Sequence, residues 1–363
     1  MVSTELIVVG GFLGAGKTTS ILSIAKYLIS SGKKVGIVTN DQGSDLVDTN
    51  FLKASGMSVL EVTGGCFCCN FEEFINKIQS LTGNEMPDVI LAEPVGSCTD
   101  LIATIFKPIE LKYMTKVILR PLSVVVDPKR IKRLLMEENS GFHSEINYLF
   151  RKQLEEADII VLNKIDSLGE EEIKKITDFI KSKFKSADIV CVSAKDNFNI
   201  GGWIYTIYDV NATKARTLDI DYKMYGDAEG RLGWLNLTAG LVSTTKVDIN
   251  QLIEKIMNEL KEEFIKNSFE IAHLKIYGVS EVDFSKASIT SIHEELDFSK
   301  KAEKTSSRWN IIINARIDAK PEELKSSLEK IFFKATCTED MKILDLNMEC
   351  FKPEKPNPTY RII

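Results

Sequence analysis

One stretch of this sequence has the residue types and spacing of a phosphate-binding loop. Residues 11–18 read GFLGAGKT and match the pattern G-x-x-x-x-G-K-T. The glycines let backbone N–H groups face phosphates, Lys17 reaches the β and γ phosphates, and the Thr18 hydroxyl ligates Mg²⁺. The stretch follows an apolar run and precedes a predicted helix over Thr18–Ser30, which is the context that the motif requires. The predicted phosphate contacts are Gly11, Gly14, Ala15, Gly16, Lys17, Thr18 and Thr19.

A second stretch favours guanine as the base. Residues 163–166 read NKID and follow the apolar run Ile159–Leu162 directly. A carboxylate at Asp166 can accept two hydrogen bonds from the guanine N1–H and exocyclic amine, whereas adenine would leave it unpaired. Lys164 can lay its aliphatic stem along the base. The predicted base contacts are Asn163, Lys164 and Asp166, with Ser193, Ala194 and Lys195 closing over the base after the next strand.

The third stretch is a cluster of thiols. Cys66, Cys68 and Cys69 fall within four residues, directly after a predicted strand. A C-x-C-C triplet can supply two or three thiolates to one soft cation and leave a tetrahedral position open for a carboxylate, water or incoming protein ligand. Redox chemistry by thiols of lowered pKa stays open as an alternative. Cys98 is either a further ligand or a packed side chain, and the other three cysteines are expected to lie outside the site.

The elements that position these stretches form an α/β pattern. Between about residues 5 and 209, short apolar runs alternate with amphipathic stretches of helical length, which predicts a mostly parallel sheet of the P-loop NTPase type. Ligands of such sheets collect at the carboxyl ends of the strands, so the three stretches should share one edge. The predicted strands are Leu6–Val9, Lys34–Thr39, Ser58–Val62, Asp88–Ala92, Val117–Val126, Ile159–Leu162 and Ile189–Val192.

The pattern changes after residue 211. Residues 212–232 mix charge, glycine and small polar residues and predict a linker, and residues 353–363 contain prolines and predict an extended tail. Between them, two βαβ-like units predict a smaller α+β domain of ferredoxin-like type with one extra strand. The predicted domains are therefore a P-loop domain over 1–211, a linker over 212–232, a C-terminal domain over 233–352 and a tail over 353–363.

Composition excludes several classes of protein. The chain has 363 residues, 44% of them apolar and 27% charged, with a formal net charge of -6. Neither half is basic, which argues against nucleic acid as a partner. The start lacks a basic region followed by an apolar signal segment or membrane span, so we expect a cytoplasmic protein without a membrane partner.

Four motifs together resemble the CobW family of GTPases, relatives of the UreG and HypB metallochaperones. They are GGFLGAGKTT at 10–19, GCFCC at 65–69, EPVG at 93–96 and NKID at 163–166. The resemblance covers about the first 210 residues. It implies hydrolysis of GTP to GDP and phosphate, coupled to delivery of Zn²⁺ or Co²⁺ to a client metalloprotein or to service of a cobalamin-related protein. A homodimer stays open as the oligomeric state.

The resemblance also assigns roles to residues. It implies that Lys17 and Glu93 are catalytic, with Glu93 holding a Mg²⁺-bound water or orienting the attacking one, although a helix-capping carboxylate is the alternative. Asp41 stands where the family has glutamate in its switch segment, and it becomes a candidate metal ligand with a reach shorter by one methylene. We expect slow intrinsic turnover. Two other functions stay open: a GTP-dependent switch for a corrinoid enzyme, and a sensor that does not hydrolyse its nucleotide.

Overall fold

A computed structural model describes residues 4–40, 47–54, 56–84, 86–112, 117–137, 142–210 and 217–363. Its internal contacts divide the chain into two compact units, the first made of residues 1–42, 52–228 and 355–363 and the second of residues 43–51 and 229–354. The predicted boundaries at 211, 232 and 352 remain a proposal. Residues 212–216 of the predicted linker, like Asp41, lie outside the described residues.

The first unit is built on a mostly parallel sheet. Its described strands are β1 Thr4–Gly10, β2 Val35–Asn40, β3 Val59–Val62, β4 Val89–Glu93, β5 Val117–Leu119, β6 Ser123–Val126, β7 Ile159–Leu162 and β8 Asp188–Cys191. They run in the order β3-β2-β4-β1-β6-β7-β8, with β5 also paired to β1, and every pair is parallel. Strands β4, β6 and β7 are buried along their whole length, which explains why all their residues except Glu93 and Ser123 are apolar.

Helices connect these parallel strands. The described helices are α1 Lys17–Ser30, α2 Val47–Ala54, α3 Phe71–Asn84, α4 Lys107–Lys112, α5 Pro128–Ile131, α6 Ser144–Glu155, α7 Glu170–Lys183, α8 Ile200–Asp209 and α9 Tyr222–Arg231. Helix α9 falls inside the segment predicted as a linker. Throughout the part of the chain that the structure describes, each helix is too short or too polar to span a lipid bilayer.

The predicted strand Val117–Val126 is two strands in the structure. Strand β5 pairs with the start of β1, and β6 pairs with its end at Val9 and Gly10. Pro121 lies between them, and proline has no N–H to donate to a sheet ladder, so the run cannot continue as one strand.

The second unit is an antiparallel sheet with two helices. Its described strands are β9 Leu232–Val247, β10 Glu270–Val279, β11 Phe284–Ile289, β12 Asp297–Lys300, β13 Ser306–Asp318 and β14 Met341–Phe351, and its helices are α10 Ile249–Lys266 and α11 Pro321–Thr336. The strand order is β12-β11-β10-β13-β9-β14. Strands β9, β10, β13 and β14 with the two helices have the ferredoxin-like arrangement. The predicted fold class, a mostly parallel P-loop sheet followed by a smaller α+β unit, is confirmed.

The second unit also contains the start of α2. The carboxylate of Asp48 contacts the ammonium groups of Lys275 and Lys286, the latter at 3.1 Å. The backbone N–H of Val47 donates to the Asn314 side-chain oxygen at 3.0 Å, and the ring of Phe51 packs against the second sheet. Burial alone would raise the pKa of the Asp48 carboxyl, but the two lysines outweigh it and hold that pKa well below its ordinary value.

Candidate functional site

The phosphate loop connects the end of β1 to the start of α1. Gly16 adopts φ of 94°, a left-handed conformation that favours glycine, and a Cβ there would lie 2.5 Å from the Asn163 side-chain nitrogen. Lys17 is the first residue of the helix and is buried, and its Nζ donates to the Phe12 carbonyl at 3.5 Å. The loop therefore surrounds the buried ammonium group of Lys17 and leads directly into the N-terminus of the fourteen-residue helix α1.

Strand β4 brings a carboxylate to this loop. The Thr18 hydroxyl donates to Glu93 Oε1 at 3.0 Å, and both side chains are buried. Gly96, three residues later, approaches so closely that a Cβ would lie 3.0 Å from Lys17 Nζ. The structure thus brings Lys17, Thr18, Glu93 and Gly96 together. Hydroxyl and carboxylate oxygens are the donors that Mg²⁺ prefers, so this pair fits the ion.

Asn163 ties the predicted base contacts to the phosphate loop. Its Nδ2 donates to the Ala15 carbonyl at 3.0 Å, and its Oδ1 accepts from the Ala194 N–H at 3.0 Å. The Ala194 carbonyl in turn accepts from the Ser23 hydroxyl of α1 at 2.7 Å. These bonds fix the spacing between the loops after β1, β7 and β8.

The remaining base candidates lie around this bridge. Lys164 has φ of 59°, and its ammonium contacts Asp127 at 2.7 Å. Burial alone would raise the pKa of Asp127, but Lys164 outweighs burial and lowers that pKa below its ordinary value. Ser193 donates to the Asp196 carboxylate at 3.0 Å, while Asp166 and Lys195 are exposed.

The three clustered cysteines form a single group of sulfur atoms. The Sγ atoms are separated by 2.8 Å between Cys66 and Cys68, 3.1 Å between Cys66 and Cys69, and 3.8 Å between Cys68 and Cys69. Cys66 and Cys68 are buried, Cys69 is half-buried, and none is in a disulfide. Among the described residues they are the one group of three or more Cys, His, Asp or Glu side chains arranged to hold a metal ion.

The three thiols of the cluster differ in pKa. Hydrogen bonding with the Cys68, Cys69 and Cys98 thiols holds the pKa of Cys66 well below its ordinary value. The same contact raises the pKa of Cys68 well above its ordinary range and raises that of Cys69 to about 11. The arrangement therefore favours loss of a proton from Cys66 over loss of one from Cys68 or Cys69.

Asn40, the last residue of β2, holds the loop that carries these thiols, and the sequence analysis assigned it no role. Its Nδ2 donates to the carbonyls of Val62 at 3.0 Å and Gly65 at 2.7 Å, and its Oδ1 accepts from the Phe67 N–H at 2.8 Å. Asn40 is buried, and β2 lies between β3, which leads into the cysteines, and β4, which ends at Glu93. The signal available in the sequence was a polar amide ending an apolar strand.

Comparison with known proteins identifies the family of the nucleotide-binding region. The family model described as the CobW/HypB/UreG nucleotide-binding domain matches residues 5–191. Curated relatives include the zinc chaperone CobW of Sinorhizobium, 32% identical over 48% of this chain and 55% of that protein, and the zinc chaperone YeiR of Escherichia coli, 35% identical over 46% and 47%. This chain thus spans about half the length of the curated relatives that it matches.

Two of the solved structures that resemble this chain are a GTPase and a hydrogenase maturation factor. Zn(II)-bound YjiA GTPase from Escherichia coli is 15% identical with a TM-score of 0.38, and the match covers 91% of this chain and 99% of that one. Hydrogenase maturation factor HypB from Archaeoglobus fulgidus is 18% identical with a TM-score of 0.39, covering 57% and 89%. The family model matches more than half of the 363 residues. The resemblance predicted from four motifs is confirmed, and the chain belongs to the CobW/HypB/UreG family.

Proposed function

We propose that this protein hydrolyses GTP and uses the change of nucleotide state to control the binding and delivery of a transition metal at Cys66, Cys68 and Cys69. Zinc is the favoured cargo, because two relatives that are 32% and 35% identical are named zinc chaperones. A client metalloprotein would receive the metal. The observation that carries the proposal is the position of Asn40 between the phosphate site and the thiol loop.

The proposed coupling between the phosphate site and the thiol loop, which we call the relay, runs through the neighbouring strands β4 and β2. Thr18 contacts Glu93 at the end of β4, and Thr39 of β2 lies opposite Glu93 in the parallel ladder. The next residue, Asn40, makes three hydrogen bonds to the thiol loop. A shift of Glu93 or of the segment that follows Asn40 would therefore change the support of the loop. Buried and fully bonded networks transmit such shifts because they are not continuously deformable.

At the phosphate end, the chain supplies binding and orientation. Lys17 and the N–H groups of the loop neutralise the phosphates, and Glu93 can orient a water for attack on the γ-phosphate. Mg²⁺, when bound to the Thr18 hydroxyl, supplies further neutralisation of phosphate charge. Asp166 provides the acceptor that distinguishes guanine from adenine.

At the metal end, the three sulfurs leave a tetrahedral site incomplete. A three-thiolate site has one position for a ligand from a client, so the metal can be transferred by exchanging ligands one at a time. Asn40 fixes the backbone on both sides of Cys66 and so sets which sulfurs can converge. When the γ-phosphate is lost, this support changes and with it the affinity for the metal.

The alternative is a GTP-dependent switch for a cobalamin or corrinoid enzyme in which the cysteines do not carry metal. One observation favours it: Cys66 and Cys68 are buried, and Phe67 between them stacks on Phe74 at 4.1 Å, so these residues also act as a packed core for the loop. This reading predicts client binding that survives replacement of the cysteines.

A metal titration of the reduced protein distinguishes the metal-delivery function from the switch function. Purified protein is titrated with Zn²⁺, and with Co²⁺ as a spectroscopic probe, in the presence of GTP, GDP or neither, while metal occupancy and phosphate release are both measured. We expect thiolate-to-Co²⁺ absorption whose intensity or affinity differs between GTP and GDP. Absorption that is identical in all three nucleotide states would contradict the coupling.

Variants assign the two activities to their residues. Lys17→Ala should abolish phosphate release and leave metal binding without nucleotide intact. A combined Cys66→Ser and Cys68→Ser variant should lose Co²⁺ absorption. Cys337→Ser is the matched control, because this thiol is exposed and belongs to the second unit.

A further inference from the structure

A length of extended chain runs along the thiol loop. Residues Asn357–Ile363, which we call the strap, belong to the first unit. The N–H of Thr359 donates to the Cys68 carbonyl at 2.8 Å, and its hydroxyl donates to the Cys69 carbonyl at 2.9 Å. The N–H of Asn357 donates to the Cys69 sulfur itself at 3.4 Å. The strap therefore contacts both the backbone and one ligand atom of the cluster.

An ion pair anchors the strap. Arg361 contacts the Asp100 carboxylate at 2.7 Å, and Asp100 is only 1% exposed. The guanidinium also donates to the Leu218 carbonyl at 3.1 Å and lies over the Tyr222 ring. The Tyr222 hydroxyl donates to the same Asp100 carboxylate at 2.8 Å. A buried carboxylate held by two donors is a strong anchor, because removing the cation leaves a charge out of water.

An aromatic contact holds the middle of the strap. The ring of Tyr360 meets that of Phe71 edge-on at 5.4 Å, and its hydroxyl donates to Glu72 at 3.1 Å. The Lys112 ammonium lies 3.7 Å from the centre of the same ring. Phe71 and Glu72 begin α3, directly after the cysteines, so these contacts fix the strap beside the cluster.

The strap contacts the most exposed of the three thiols. Cys66 and Cys68 are buried, whereas Cys69 is half-buried and is the thiol to which the strap bonds. Transfer of a metal needs a competing ligand to approach the open coordination position. Most strap residues are themselves at least partly exposed and are held by polar contacts, which is typical of a segment that opens locally without unfolding its domain.

We infer that the strap gates access to the Cys66, Cys68 and Cys69 cluster, with Arg361 as its latch. The inference rests on the proposed function in one respect, namely that the cluster carries metal. With the latch closed, exchange is slow; release of Arg361 from Asp100 frees Asn357 and Thr359 and opens the Cys69 edge to a chelating ligand.

Thiol modification tests the gate without any metal. Reduced, metal-free protein is treated with a disulfide reagent, and labelling of the peptide containing residues 66–69 is followed by mass spectrometry. We expect Arg361→Ala, and a chain shortened after Lys355, to be labelled at Cys69 roughly tenfold faster or more than the unaltered protein, because a lost charge-assisted hydrogen bond shifts the opening equilibrium by about that factor. Arg308→Ala, an exposed arginine of the second unit, should have no effect.

Zinc transfer to a chelator gives the second readout. The zinc-loaded variants should release metal faster by a similar factor, while Arg308→Ala should not. If the shortened chain fails to fold, Arg361→Ala and Thr359→Ala decide the question. Unchanged labelling rates in folded variants would overturn the gate even if zinc binds, whereas faster labelling in a protein that binds no zinc would support the gate and contradict the proposed cargo.

Discussion

The side-chain amide of Asn40 donates to the Gly65 carbonyl at 2.7 Å, which links the first residue of the switch segment to the residue before the first cysteine. With its two other bonds, this amide pairs with two backbone carbonyls and one backbone N–H around the cysteine loop. The proposed coupling between the nucleotide and metal sites can therefore be tested by replacing this one side chain.

Asn40→Ala should uncouple the two sites. We expect GTP binding and zinc binding to persist, but the difference in zinc affinity between the GTP and GDP states should fall to nearly zero. The free energy of unfolding should also fall by about 2–4 kcal/mol, because three backbone groups lose their bond to the Asn40 side chain. Zinc titrations with each nucleotide and urea unfolding measure the two effects. Asn347→Ala, an exposed asparagine of β14, is the control. A variant that keeps the full nucleotide effect would show that the relay runs elsewhere.

Zinc affinity should depend steeply on pH. The raised pKa of Cys68, and that of Cys69 at about 11, mean that both thiols carry protons at neutral pH and must lose them to bind zinc as thiolates. Binding by these thiolates therefore releases protons, so the logarithm of the affinity should rise with pH by about one per pH unit for each proton released. Competition with a chelator at pH 6.5, 7.0 and 7.5 measures the slope. A slope near zero would exclude thiolate ligation by this cluster.

Asp166→Ala should remove the preference for guanine. The carboxylate is exposed at the carboxyl end of β7 and can pair with the N1–H and amine of guanine. We expect GDP affinity to fall by roughly 100-fold or more, with little change for ADP. Calorimetry with both nucleotides measures this, and Glu170→Gln on the neighbouring helix is the control. Equal GDP affinity in the variant and the unaltered protein would mean that the base is recognised by other residues.

Glu156 should make the first unit less stable as the pH rises. Burial, with a contribution from the nearby Asp100 carboxylate, raises the pKa of Glu156 to about 8. In the unfolded chain the group ionises near pH 4.3, so between about pH 4.5 and 8 folding requires a proton that the unfolded chain has lost. Stability falls over this window by up to about 1.4 kcal/mol per pH unit. Urea unfolding at pH 5, 6.5 and 8 should give a smaller decline for Glu156→Gln, and parallel curves would refute the assignment.

Asp48→Ala should destabilise the second unit. The carboxylate contacts Lys275 and Lys286, and Lys286 is only 3% exposed. Removing one member of a buried ion pair leaves an uncompensated charge, which costs about 3–5 kcal/mol. Asp48→Asn should cost less, and Asp345→Ala on exposed β14 should cost almost nothing. Thermal and urea unfolding compare the three, and equal losses for Asp48→Ala and Asp345→Ala would contradict the buried pair.

The fold class and the main motifs could be predicted because each has a local signature. The phosphate loop, for example, is recognised from eight consecutive residues. The buried strands are recognised from continuous apolar runs. Strand β12 was missed because its residues, DFSK, carry no apolar pattern. The roles of Asn40 and Arg361 could not be predicted, because each depends on a partner 25 or more residues away in the chain. Local propensity contains no information about such pairings.

The membership of α2 has a consequence for dissecting this protein into pieces. Val47 and Asp48 find their partners at Asn314, Lys275 and Lys286, in sequence more than 220 residues further on. A fragment ending at residue 211 would keep this helix, but the Asp48 carboxylate would have neither lysine as a partner. The complementary fragment would contain Lys275 and Lys286 without the carboxylate that neutralises them. Neither fragment therefore contains a complete folding unit. We expect each fragment, expressed separately, to be less stable to unfolding than the intact protein until the two are mixed.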